Sequence, residues 1–160
     1  TGRARANGRT GRHGLMMIRT ATPLDISALY GMLHVMHSET IHDVSPIRSD
    51  KLIAAISRAI HDGVVLVAEI DGRIIGSIGG AEMTDWWSDK KYLADNWFFV
   101  YRQHRKSTIA TRLIKKFMKI GQESGVPVKL GHVYSGDVDR KDNFYERLGL
   151  TKVGSLFTEA

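Results

Sequence analysis

The stretch FFVYRQHRKSTIATRL, residues 98–113, decides the fold. It opens aromatic and β-branched, passes through a basic turn, and closes on small and apolar residues at helical spacing. From Thr108 onward the apolar pairs Ile109/Ala110, Leu113/Ile114 and Phe117/Met118 recur every four residues, with Arg112, Lys115, Lys116 and Lys119 between them. That period predicts an amphipathic helix ending near 121–125. Tyr92–Val100, just upstream, predicts a strand. A strand that turns directly into a helix exposes the helix's first N–H groups and the positive end of its dipole. Ser107, Thr108 and Ala110 are small enough to let a phosphate approach, and Arg105 and Lys106 add charge. The residues alone mark a candidate pyrophosphate site, with a basic, solvated turn as the alternative.

Working outward, Met17–Thr20 reads as a short strand. Thr22-Pro23-Leu24-Asp25 has a hydroxyl N-cap, a proline at the first helical position and an acid three residues after the cap, which starts a helix. Ile26, Leu29, Leu33 and Met36 carry it to about His37. A second helix from about Asp50 shows Leu52, Ile56 and Ile60 on one face and stops near Asp62-Gly63. Val64–Ile70 and Arg73–Ala81 are strands joined by the hairpin turn Asp71-Gly72. Segment 82–91 (EMTDWWSDKK) reads as a loop. Val126–Tyr134 is expected as a strand, Asp139–Leu148 as a helix and Thr151–Thr158 as a last strand. The order is β-α-α-β-β-β-α-β-α-β, one α/β domain without internal repeats.

The 160 residues suit a single domain, and 42% hydrophobic with 25% charged residues is the composition of a globular protein. This excludes a mainly disordered or collagen-like chain. No run reaches the roughly 18–20 apolar residues of a membrane span. The chain has no cysteine, which excludes a disulfide framework, a thiolate metal site and a cysteine nucleophile. It fits a reducing compartment, and a cytoplasmic location is the expectation. The net charge is +6, yet four of the 23 Lys+Arg lie in residues 1–14, leaving 19 against 17 acids in the body. Residues 1–15 read as a flexible basic tail, either an arm for anionic partners such as nucleic acid or a leader ahead of a domain spanning 16–160. The leader is favoured, because regular patterning begins only after Met17.

The segment Arg105-Lys106-Ser107-Thr108-Ile109-Ala110, five residues after the strand valine Val100, resembles the acetyl-CoA signature Gln/Arg-x-x-Gly-x-Gly/Ala of the GCN5-related N-acetyltransferases. Asn143-Phe144-Tyr145-Glu146-Arg147-Leu148-Gly149-Leu150 resembles that family's later aromatic-Tyr-Glu-x-Leu-Gly-Phe segment. The resemblance spans about Met17 to Phe157. It implies a mixed, mostly antiparallel central sheet flanked by helices, with acetyl-CoA as co-substrate and no metal. The backbone of Phe98, Phe99 and Val100 would pair with the pantetheine arm like an added strand. The N–H groups from Arg105 to Ala110 would hold the pyrophosphate. The parallel strands would splay at the end of the fourth strand and open a slot for the thioester. Two positions depart from the pattern. Thr108 replaces the first glycine, and its Cβ is expected to crowd the phosphate and weaken binding by about 1 kcal/mol, the worth of one hydrogen bond. Val138 stands where the family often has an asparagine.

Acetyl transfer to an amine requires an amine without its extra proton, a polarised carbonyl and a proton for the departing thiolate. Tyr145 matches the family's proton donor; a packed helix tyrosine is the alternative. His132, 13 residues before it on the preceding strand, is the expected base, because imidazole accepts a proton near neutral pH. A strand histidine bonded to its neighbours is the alternative. Asp95 is the second candidate base. Trp86 and Trp87 are expected to meet the acceptor, or else to anchor their loop. His34, His37 and His42 are taken as surface or lid residues rather than ligands. The function expected is N-acetyl transfer from acetyl-CoA to a primary amine, of a small molecule or a protein, by direct attack in a ternary complex. The alternatives are an acetyltransferase-like fold serving as a structural or interaction module, and nucleic-acid binding through the tail. A homodimer is left open.

Overall fold

The computed structural model describes residues 14–42, 44–132 and 136–159. The tail expectation falls almost wholly on residues 1–13, outside the described part. Strand β1 (Met17–Thr20) leads through a 3-10 turn (Pro23–Asp25) into α1 (Ile26–Ser38) and then α2 (Ser49–Asp62). Strands β2 (Val64–Ile70), β3 (Arg73–Thr84) and β4 (Lys91–Val100) follow, then a 3-10 turn (Arg102–His104) and α3 (Ile109–Glu123). A short β5 (Val128–Lys129) and α4 (Val138–Arg147) complete the regular elements. The five strands lie in the order β1-β2-β3-β4-β5, antiparallel except for β4 with β5.

Local chemistry explains these elements. Thr22 N–H donates to Asp25 Oδ2 at 2.8 Å, the acid three residues after the cap closing the first turn. Asp71 (φ 50°) and Gly72 (φ 77°) both adopt the left-handed conformation that a tight two-residue hairpin needs. Helix α3 buries Ile109, Leu113, Ile114 and Phe117 against Leu66, Ile78 and Leu93 on one face of the sheet. Leu29, Leu33 and Ile56 of α1 and α2 cover the other face with Val65, Val67 and Trp97. Trp97 Nε1 donates to Ser77 Oγ at 3.0 Å, and that hydroxyl donates to Leu66 O at 2.8 Å, so the buried polar atoms of this face are satisfied. Any Cβ at residue 79 would run into the Trp97 ring, which is why glycine stands there.

Three sequence expectations are corrected. Segment 82–91 is not all loop, since β3 runs to Thr84 and β4 starts at Lys91. The strand expected over Val126–Tyr134 is only Val128–Lys129, with residues 133–135 outside the described part. Thr151–Thr158 forms no strand and is exposed. A strand exists only where a neighbour offers a ladder, and the two-residue β5 offers almost none. Val153, Leu156 and Phe157 consequently stay in solvent.

Candidate active site

Strand β4 is the backbone of the site. On one edge it pairs with β3 along its whole length, from Thr84↔Lys91 to Gly76↔Val100. On the other it pairs with β5 only at Leu93↔Val128 and Ala94↔Lys129. Beyond Lys129 the chain leaves the ladder, and Gly131 N–H donates to the side chain of Asp95 (Oδ1, 3.1 Å) rather than to a strand carbonyl. The β4–β5 ladder therefore ends at Ala94, well before the end of β4 where the splay was expected, and β4 is open on this side from Asp95. The register shifts between Gly79 and Gly80, where Gly79 faces Trp97 and Gly80 faces Asp95, so Asn96 is the extra residue of a bulge. The Val100 carbonyl accepts Arg105 Nε at 2.8 Å, and Tyr101 N–H bonds across to Ile75 O at 3.0 Å. Val100 thus turns its peptide to the open edge. Strand alternation puts Phe98 on that edge as well, while the side chains of Phe99 and Val100 are buried.

At the far end of this edge stands the start of α3. Ser107 Oγ donates to His104 O at 2.6 Å and accepts from Ile109 N–H at 3.3 Å. The first intrahelical bond is Arg112 N–H to Thr108 O at 3.0 Å, so the N–H groups of Ala110 and Thr111 precede the ladder. Arg105, Lys106, Ser107 and Thr108 are exposed around them, and Ile109 is buried in the core. Thr108 has φ −81° and ψ 2°, a conformation open to any L-residue, so replacing the family glycine costs nothing in backbone strain. Arg105 is also held at 2.7 Å by Glu39 Oε2, whose other oxygen takes Arg102 at 3.0 Å. Partial burial works to raise the Glu39 pKa, and the two guanidinium groups outweigh it, so the carboxyl is held below its ordinary value.

Tyr145, His132 and Asp95, far apart in sequence, meet at the mouth of the splay. The His132 and Tyr145 rings stack with centroids 5.6 Å apart and planes within 7°. Burial, reinforced by the Asp95 charge, pushes the Tyr145 phenol well above its ordinary pKa, so it keeps its proton throughout the physiological range. Burial likewise raises Asp95, against the opposing Gly131 N–H and the His132 charge. Phe144, beside Tyr145, stacks on Phe98 at 6.5 Å and fixes α4 to the open strand. Tyr145 and His132 also line a cavity of about 560 Å³ beneath the C-terminal segment.

Trp86 and Trp87 are not part of this cluster. They are 90% and 66% exposed and pack edge to face on each other at the tip of the β3–β4 hairpin. Asp85 ties that hairpin end to Lys129 of β5 at 3.0 Å. His37 Nε2 bonds Ser45 O at 2.8 Å and His34 packs on Tyr30. Two participants escaped the sequence reading. Asp142 bonds His132 Nε2 at 2.7 Å, and its position three residues before Tyr145 on a helix was a usable signal. Glu39 had none, since 66 residues separate it from Arg105.

A mixed sheet split beside a cationic helix start, with a buried phenol and an imidazole at the opening, defines the class: an α/β acyltransferase. The chain belongs to the acetyltransferase (GNAT) family, whose model matches residues 29–150. No curated protein gives a significant sequence match. Among solved structures, a Trypanosoma brucei acetyltransferase superposes with a TM-score of 0.69 at 18% identity, covering 91% of this chain and 99% of that one. An aminoglycoside N-acetyltransferase in complex with CoA gives 0.72 at 16% identity over 94% and 97%. A Clostridium acetobutylicum acetyltransferase with acetyl-CoA gives 0.71 at 17% over 91% and 96%. At these identities the likeness establishes the fold. Among the described residues, no helix is long and apolar enough to cross a membrane.

Proposed function

We propose that the protein transfers an acetyl group from acetyl-CoA to a primary amine by direct attack within a ternary complex. The observation that carries this reading is the open second half of β4, bounded by the start of α3 at one end and by Asp95, His132 and Tyr145 at the other. These residues fit the co-substrate. The Phe98 peptide and the Val100 N–H offer a strand edge without a ladder partner to its amide-bearing arm, while the Val100 carbonyl is taken by Arg105. The first turn of α3, with Arg105 and Lys106, offers N–H groups and positive charge to its diphosphate. Bound there, acetyl-CoA supplies an acyl thioester already activated toward amines.

This chain's residues supply the rest. His132 takes the proton from the incoming ammonium, and the Asp95 carboxylate stabilises the charge that forms on the ring. Tyr145, protonated at working pH, gives its proton to the departing sulfur. A chain without cysteine cannot form a cysteinyl acetyl-enzyme, which supports direct attack. Isothermal titration should show acetyl-CoA binding in the micromolar range, abolished in Thr108→Trp. A screen of lysine peptides, polyamines and amino sugars should release free thiol with at least one of them. No binding at millimolar acetyl-CoA would overturn the reading.

A further inference from the structure

We infer that Asp142 is a positioning residue that makes Nδ1, not Nε2, the proton-accepting atom of His132, and that Lys152 makes Asp142 do so. The inference rests on the acetyl-transfer reading above and names the atom through which the base works. Asp142 Oδ1 lies 2.7 Å from His132 Nε2, and Asp142 Oδ2 lies 2.8 Å from Lys152 Nζ. An ionised carboxylate only accepts hydrogen bonds. The neutral imidazole must therefore carry its proton on Nε2, and the lone pair is left on Nδ1. The hydrogen bonds from Lys152 and His132 hold the Asp142 carboxyl below its ordinary pKa, which keeps it an acceptor. Stacking on Tyr145 fixes the plane of the ring.

The charged and titratable groups around His132 come from three elements. Asp142 and Tyr145 belong to α4, Asp95 to β4, and Lys152 of the C-terminal segment acts through Asp142. His42 and Glu146 line the adjoining cavity. When the amine gives up its proton, its N–H bond breaks and an Nδ1–H bond forms. The positive charge then sits on a ring whose Nε2–H already points at a carboxylate. Lys152 thereby gives the C-terminal segment a part in the site, although that segment forms no strand.

Lys152 also determines what Asp142→Asn does. An ammonium has donors only, so the asparagine carbonyl turns to Lys152 and its NH₂ faces Nε2. His132 must then accept at Nε2 and carry its proton on Nδ1, where it blocks the base. Nitrogen-15 NMR of the imidazoles above pH 8 should find the His132 proton on Nε2 in the wild type and on Nδ1 in Asp142→Asn. Steady-state kinetics should show kcat lower by about 10²-fold with KM nearly unchanged. The double variant Asp142→Asn/Lys152→Ala frees the amide to turn its carbonyl toward Nε2–H and should recover about tenfold over the single variant. A structural role for Asp142 predicts no such rescue. A wild-type proton on Nδ1, read without any variant, overturns the inference, as does Asp142→Asn turnover within about twofold of the wild type. Wild-type protein that neither binds acetyl-CoA nor releases thiol removes the acetyl-transfer reading instead.

Discussion

The two halves of β4 share one neighbour and differ in the other. Residues 91–94 all lie against β3, Leu93 and Ala94 pair with β5 as well, and Leu93 N–H finds Pro127 O at 2.9 Å. Residues 95–100 lie against β3 alone. The first half is ordinary sheet; the second keeps one edge of peptide groups available because β5 stops after two residues. The fold and the proposed site thus share a single strand, separated by a bulge at Asn96. The edge facing β3 carries the fold, and the edge beyond the reach of β5 carries the proposed site.

Tyr145→Phe attacks only the open half. Its ring can still stack on His132, so the melting temperature should change little while turnover falls by about 10²–10⁴-fold; an unchanged rate would remove Tyr145 as the acid. Gly80→Val attacks the bulge between the halves. Any Cβ at residue 80 runs into the Ala94 carbonyl, so denaturant melts should show a loss of about 3 kcal/mol, with activity lost alongside.

Asp25→Asn tests stability far from either half. Arg19 grips Asp25 through two hydrogen bonds of 2.8 and 2.9 Å and holds its carboxyl below the ordinary range. The contribution of a depressed carboxyl is complete above its unfolded pKa of about 3.9 and fades as pH falls through the lower folded value. The variant should lose about 2 kcal/mol at pH 7 and draw level with the wild type in strong acid, with acetyl-CoA affinity untouched.

Asp95→Asn sits on the boundary and has the smallest expected effect, with opposite signs for the two properties. Burial raises the Asp95 pKa, so above the unfolded value near 3.9 its ionised form costs folding energy that asparagine does not. Thermal melts at pH 7 should show equal or greater stability, while turnover falls about tenfold, roughly 1.4 kcal/mol of lost charge stabilisation. Lower stability with full activity would separate Asp95 from the chemistry.

Features with a local cause were legible. The helix at 109–123 follows from its four-residue apolar period, and the β2–β3 hairpin from Asp71-Gly72. The turn proposed for the pyrophosphate was visible as small and basic residues between a strand and a helix. Features with a distant partner were not. Nothing near Thr151 announces that its strand lacks a ladder, and nothing near Glu39 points to Arg105. The exposure of Trp86 and Trp87 at the hairpin tip was likewise hidden, because a polar loop says nothing of where its tip projects. At Thr108 the backbone has a negative φ, so the side chain bears on the approach of a phosphate and not on backbone strain.

The order of elements, the amphipathic faces and the residue types of an acyl-transfer site were determined by the sequence, since each depends on neighbours within a few positions. The early end of β5, the gathering of Asp95, His132 and Tyr145, and the choice of His132 nitrogen by Asp142 and Lys152 were decided only by the tertiary structure. Each depends on which group, tens of residues away in several cases, comes within hydrogen-bonding or stacking distance once the sheet has closed.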